Sequence, residues 1–131
     1  MENVEVMEPE LKQLQLESDS SKQAIGYMME ENISLKNRLT EILRNRFNSM
    51  LLEKAEYFQN RFIKEDERIG LIRDDVVQID RSLMMHAEEN SEVDSETYYK
   101  IKKLRNYILH AQKQFNELKS EFNSYLMLLH V

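Results

Sequence analysis

An all-α fold of few, long helices is predicted by three features of this sequence. Its 131 residues include two glycines and one proline, too few for the turns that strands or short helices need. Apolar residues recur at alternating steps of three and four through most of the chain, which is the spacing of a helical seam. Charged residues are 32% and apolar residues 41%, a balance that suits thin bundles with much surface better than a thick core. Burial per residue is then modest, and self-association is expected to add stability.

Residues 1–9 are expected to be frayed. Pro9 lies between Glu8 and Glu10 and reads as a first-turn position, where its missing N–H is harmless and nearby acids suit the helix dipole. Residues 10–46 then carry the first seam: Leu11, Leu14, Ser18, Ser21, Ile25, Met28, Asn32, Leu35, Leu39 and Ile42. Asn32 is its most informative member. An asparagine at an a position lowers stability but pairs with its own copy across a parallel two-stranded seam, and so fixes register and strand number.

The flanking charges agree with that reading. With Asn32 at a, Glu17 and Glu31 fall at g while Lys22 and Lys36 fall at e, so Glu17 would meet Lys22 of a second copy and Glu31 would meet Lys36. Such exposed pairs contribute a few tenths of a kcal/mol each and argue for orientation rather than strength. The expectation is a parallel coiled-coil stalk, with Ile25, Met28, Asn32, Leu35, Leu39 and Ile42 as its dimerisation seam. Ser18 and Ser21 weaken the first half, which leaves open an amphipathic helix of a monomeric bundle with Asn32 at its solvent edge.

A second seam follows in a new register: Leu51, Ala55, Phe58, Phe62, Ile69, Ile72, Val76, Ile79 and Leu83, with Glu65 in the one charged slot. The apolar face rotates where Leu43, Phe47, Met50, Leu51 and Leu52 crowd together, which marks a junction between stalk and hairpin. Gly26 lies at an outward position and Gly70 between helix formers, so neither is expected to break a helix. One continuous helix, or two with a bend near 43–48, would satisfy this stretch.

Residues 87–95 are acidic, polar and rich in capping residues, and are the expected loop; Asp94 or Ser95 is the expected N-cap of the last helix, with Glu96 in its first turn. That helix has the cleanest pattern: Ile101, Leu104, Ile108, Ala111, Phe115, Leu118, Phe122, Tyr125 and Leu129. Residues 47–131 are therefore expected to form an antiparallel hairpin of helices 47–86 and 96–130, with Phe58, Phe62, Ile69, Ile72, Ile108, Phe115, Leu118 and Phe122 as its core. Two hairpins joined by the stalk would make a dimeric helical bundle of rod-like form.

The net charge of −6 disfavours nonspecific binding to nucleic acid or anionic lipid. Lys100, Lys102, Lys103 and Arg105 form one short basic patch, but on a helix they spread around the cylinder and read as a solvated face. There is no cysteine, which suits the cytoplasm. The amino terminus lacks a secretory pattern, and the longest apolar run, Leu126 to Leu129, falls far short of the about 20 residues a membrane span needs. No membrane insertion by this segment is expected.

Catalytic chemistry has no foothold in the pattern. No Glu-x-x-His or His-x-x-x-His pattern includes His86, His110 or His130, and Asp74, Asp75 and Asp80 point apart on a helix. Phosphate loops and nucleophile elbows are absent. No catalytic residue, cofactor, metal or small-molecule substrate is expected. The eight methionines read as core filling. Tyr57, Tyr98, Tyr99 and Tyr107 lie off or at the edge of the seams, where an apolar ring with a polar tip suits a protein interface. The apolar run from Tyr125 to Val131 implies an end packed into a dimer or a segment of a longer protein.

The run Glu31 to Leu39, then Arg46-Phe47, Tyr57-Phe58, Phe115, Leu118, Phe122, Tyr125 and Leu126, resembles the cytoplasmic segment of bacterial membrane-anchored transcriptional regulators. In that family tetratricopeptide repeats precede one membrane helix, a coiled coil, a helical region and a terminal helix-turn-helix that binds DNA. The resemblance covers about residues 28–131; repeats, membrane span and DNA-reading helix are absent from this sequence. It implies a dimerisation module that passes a signal along a larger regulatory protein, with a second copy and an adjoining domain or protein as partners. The alternative is a coiled-coil structural or adaptor component of a multiprotein assembly such as a secretion apparatus.

Overall fold

The computed structural model describes the backbone of residues 2–45 and 49–129, and the side chains of 11–45 and 52–129. Three helices account for nearly all of it: α1 (Glu2–Asn45), α2 (Ser49–Glu89) and α3 (Ser95–Leu129). No strand occurs among the described residues. The fold is all-α, as the periodicity and the scarcity of turn residues predict.

α1 begins before Pro9 rather than at it. Residues 2–9, within the stretch expected to fray, lie in this helix. Arg46, Phe47 and Asn48 lie outside the described residues, as do the side chains of Met50 and Leu51; of the expected junction, Leu43 is half-buried and Leu52 exposed.

The α2–α3 connection is built by local hydrogen bonds. Asn90 takes φ 55°, a left-handed conformation that asparagine tolerates, and the Ser91 N–H donates to the His86 carbonyl at 3.0 Å, closing α2 in the manner of a Schellman turn. The His86 Nδ1 and Ser91 Oγ are 2.8 Å apart. Asp94 caps α3, accepting from the Thr97 N–H at 2.9 Å, and the hydrogen bonds from Thr97 hold its carboxyl below the ordinary range. Of the two expected caps, Asp94 is the one used.

The chain divides into two compact units. One comprises residues 1–26 and 71–109, the other 27–70 and 110–131. Each is built from one segment of every helix. In the first, Leu14, Ser18 and Ile25 of α1, Ile72, Val76, Ile79 and Leu83 of α2, and Ile101, Leu104 and Ile108 of α3 are buried. In the second, the buried set is Met28, Asn32, Leu35 and Leu39, then Ala55, Phe58, Phe62, Glu65 and Ile69, then Ala111, Phe115, Leu118, Phe122 and Leu126.

Direction follows from which residues meet. In the second unit Tyr57 reaches Glu121 while Arg68 reaches Gln114, so α2 and α3 run antiparallel there. Its core is aromatic: Phe62 and Phe122 meet edge to face at 5.1 Å between centroids, and Phe58 meets Phe122 at 5.2 Å and Tyr125 at 5.1 Å. Edge-to-face contacts of this kind add about 0.5–1.5 kcal/mol beyond the burial of the rings. Tyr125 is half-buried and its hydroxyl pushed up in pKa by burial, while Leu126 takes the fully buried place. A helix of 3.6 residues per turn drifts against a strict heptad, and by the end of α3 that drift has moved the seam by one residue.

Candidate functional site

The polar positions of the α1 seam are held inside the single chain. In the first unit the Ser18 Oγ donates to Asp80 Oδ1 at 3.2 Å, and Lys22 Nζ donates to Asp80 Oδ2 at 2.9 Å. In the second, the Asn32 amide donates to Asp66 Oδ1 at 2.7 Å and to the Phe62 carbonyl at 3.0 Å, while Lys36 pairs with Asp66 Oδ2. Each time a polar seam residue and a lysine one turn later grip both oxygens of one aspartate on α2. The hydrogen bond to Asp80 raises the pKa of Lys22.

The g-position glutamates turn to α3. Glu17 pairs with Arg105 in the first unit, and Glu31 accepts from Lys119 at 3.0 Å in the second. Hydrogen bonds from Tyr27 and Lys119 lower the Glu31 pKa, and the bond to Glu31 raises that of Lys119. The four charges expected to meet across two copies thus have partners within one. Ile25, Met28, Asn32, Leu35 and Leu39 are buried in the single chain, and Ile42 is half-buried. Phe58, Phe62, Ile69, Ile72, Ile108, Phe115, Leu118 and Phe122 are all buried.

Among the described residues Glu65 is the one carboxylate in the core of the second unit, 4% exposed. One of its oxygens lies 3.2 Å from Arg68, which also donates to Gln114 on α3; the other, Oε2, has no hydrogen-bond partner. Burial pushes its pKa up, against the opposing pull of Arg68 and Arg61. A lone buried acid suits proton chemistry only beside a bound reactant.

The first unit has a groove of about 280 Å³ between α2 and α3. Ile79 and Leu104 form its apolar floor; Asp75, Gln78 and Ser82 stand on the α2 side, and Thr97, Lys100, Lys103 and Tyr107 on the α3 side. Lys100 pairs with Glu96 at 3.3 Å. Lys103 Nζ lies 5.9 Å from the Tyr99 ring centre and 5.7 Å from that of Tyr107, both exposed, in a cation–π ladder along α3. The four-residue spacing of Tyr99, Lys103 and Tyr107 is the sequence signal for this ladder; that the groove has an apolar floor was not legible, since Ile79 and Leu104 read only as seam.

The other tyrosines divide. The Tyr57 hydroxyl bonds to Glu121 at 3.2 Å and accepts from Arg61 at 2.6 Å, while Arg61 reaches Glu121 at 2.6 Å, so Tyr57 completes a cross-helix cluster in the second unit. Tyr98 is half-buried. Among the described residues no group of three or more His, Asp or Glu side chains is placed to hold a metal ion, and no helix is long and apolar enough to cross a membrane. Compared with protein-family models, with curated proteins and with solved structures, the chain has no match.

Proposed function

We propose that this chain is a non-catalytic helical module that acts through contacts with other proteins, in the cytoplasm, as an adaptor or as a segment of a larger regulatory protein. One observation carries the reading: the seam of α1 is closed within the chain, with Ser18 and Asn32 paired to α2, Ser21 bonded to the Glu17 carbonyl and the glutamates paired to α3. Outward side chains remain for contact. In the first unit these include Tyr99 (64% exposed), Tyr107, Leu109, Met84 and Met85. Rings and thioethers of this kind are enriched where proteins meet.

A second reading, a parallel homodimer that transmits a signal along α1, is favoured by the heptad placement of Glu17, Lys22, Glu31 and Lys36. It requires α1 to exchange its partners on α2 and α3 for a second copy. Light scattering on a sizing column across a dilution series separates the two. A monomer at every concentration supports the adaptor reading; a dimer mass that persists on dilution favours the homodimer. Crosslinking capture from cells, compared with a Tyr99→Ala/Tyr107→Ala variant, then tests whether the exposed face of α3 meets a partner. Identical capture by both would remove that face from the reading.

A further inference from the structure

We infer that the α2–α3 groove of the first unit is a docking site for a short acidic segment of a partner protein, its carboxylates held by Lys100 and Lys103 and an apolar side chain seated on Ile79 and Leu104. The inference deepens the adaptor reading and rests on it. Three observations carry it. The groove is small, at about 280 Å³, the lower end of ligand sites, so it fits one or two side chains of a segment. Its lining positions 75, 78, 79 and 82 on α2 and 97, 100, 103, 104 and 107 on α3 cover about two to three turns, roughly 10–15 Å, enough for four or five extended residues.

The second observation is charge. In a chain of net charge −6 the α3 wall carries Lys103 and Lys100, the latter in an exposed pair with Glu96, against Asp75 on the other side. The basic cluster from which they come is divided by the fold: Arg105 is engaged by Glu17, and Lys102 does not line the groove. Among the described residues Lys103 has no carboxylate within ion-pair distance; its neighbours are the Tyr99 and Tyr107 rings. A carboxylate brought to it gains a cation that needs no prior partner removed.

The third is the juxtaposition of an apolar floor with polar rims. Ile79 and Leu104 are each 5% exposed, and Gln78, Ser82 and Tyr107 offer side-chain donors and acceptors beside them. An apolar centre ringed by hydrogen-bonding groups is the general form of a peptide-binding surface. Nucleic acid fits it poorly, because Asp75 faces the same space and only two cations are available to phosphates.

The test uses the full chain, isotope-labelled, titrated with a short peptide alternating glutamate and leucine, and in parallel with a lysine–leucine counterpart and a single-stranded oligonucleotide. The expected result is saturable amide shifts centred on Gln78, Ser82, Lys100, Lys103 and Tyr107. Binding should weaken several-fold on raising the salt from 50 to 300 mM and at least tenfold in Lys100→Glu/Lys103→Glu. Both lysines are exposed, and Lys103→Gln provides a milder variant, expected to weaken binding about threefold. Absence of saturable shifts at millimolar acidic peptide overturns the inference. Shifts that survive the double substitution, or equal or tighter binding of the lysine peptide or the oligonucleotide, do so as well. Saturable binding elsewhere on the chain overturns the groove alone and leaves the adaptor reading, which is judged by mass and capture.

Discussion

Replacing Glu65 by methionine should stabilise the protein, by an amount that follows from the side chain's surroundings. Glu65 is 4% exposed, and its Oε2 has no donor. An unpaired buried oxygen of this kind costs about 1–3 kcal/mol. The compensating pair is with Arg68, whose side chain is 36% exposed, so solvent screening limits that attraction to about 0–1 kcal/mol. Methionine has a similar length and no branch, fills the same slot without a polar atom, and leaves Arg68 its bond to Gln114. The net expectation at pH 7 is a gain of about 1–2 kcal/mol, or about 3–8 °C in Tm for a chain of this size. The gain should depend on pH. Burial raises the Glu65 pKa above its ordinary 4.5, so the folded state binds the proton more tightly than the unfolded state. Stability from this site is then fully present below about pH 4.5 and falls as the pH rises through the folded pKa. The advantage of the methionine variant should therefore be largest at pH 7–8 and shrink toward pH 4, with Glu65→Gln giving a smaller gain of the same pH dependence. Thermal unfolding by circular dichroism at pH 4, 5, 6, 7 and 8 reads this directly. A methionine variant that melts below the parent at pH 7, or a gain that is flat with pH, would refute the reasoning.

Three further outcomes are expected. Phe62→Ala, which removes a fully buried ring packed on Phe122, should cost about 3–5 kcal/mol in urea unfolding; a loss under 1 kcal/mol would mean that the aromatic core of the second unit is not packed as described. Asn32→Leu should stabilise by about 1 kcal/mol, because the amide oxygen is buried without a partner and Asp66 keeps Lys36; destabilisation by more than 1 kcal/mol would show that the two donated bonds outweigh that orphan. Asp94→Ala should lower Tm and also lessen acid sensitivity. The Asp94 pKa is lowered on folding, so its contribution is present above the unfolded value and lost as pH falls through the folded one; equal melting of parent and variant at pH 7 would remove Asp94 as the cap.

The helices were legible because their seams are long and their breakers few. Phe58, Phe62, Phe115, Leu118 and Phe122 are buried where the three-four spacing puts them, and of the expected loop 87–95 only residues 90–94 form the turn, with Ala87–Glu89 continuing α2 and Ser95 opening α3. The start of α1 was less legible, since Pro9 signals a first turn but three acids upstream favour helix before it. The partners of the α1 seam were not legible for a different reason. A g-position glutamate and an e-position lysine carry the same charges whether the opposing helix is a second copy or belongs to the same chain, and Asn32 is polar in either setting. Within the chain the residues that meet these charges are Asp66, Asp80, Arg105 and Lys119. These gave no periodic signal of their own because each is a single exposed or half-exposed charge on a helix rich in charges. The groove was hidden likewise, because Ile79 and Leu104 announce a core and only the fold decides whether a core residue floors a depression.

The recurrence of one clamp in both units bears on how α1 finds its place. A seam of leucines, isoleucines and methionines tolerates sliding by a heptad, since apolar groups of similar size replace one another along it. The clamps do not. In the first unit, sliding α1 by one heptad along α2 would carry Lys22 from Asp80 to the level of Arg73 or Ala87, exchanging an ion pair for repulsion or for no partner. Ser18 would lose the acceptor of its hydroxyl at the same step, and burial of an unpaired hydroxyl costs about 1–3 kcal/mol. In the second unit Asn32 and Lys36 depend in the same way on Asp66. Each exposed lysine pair contributes little to stability by itself. Its weight falls on the slipped alternatives, which must bury a serine or an asparagine with nothing to bond. Ser18 and Asn32, polar residues that weaken the α1 seam, are thus what sets its register, and in a single chain they do the work that a buried asparagine does between two strands of a coiled coil.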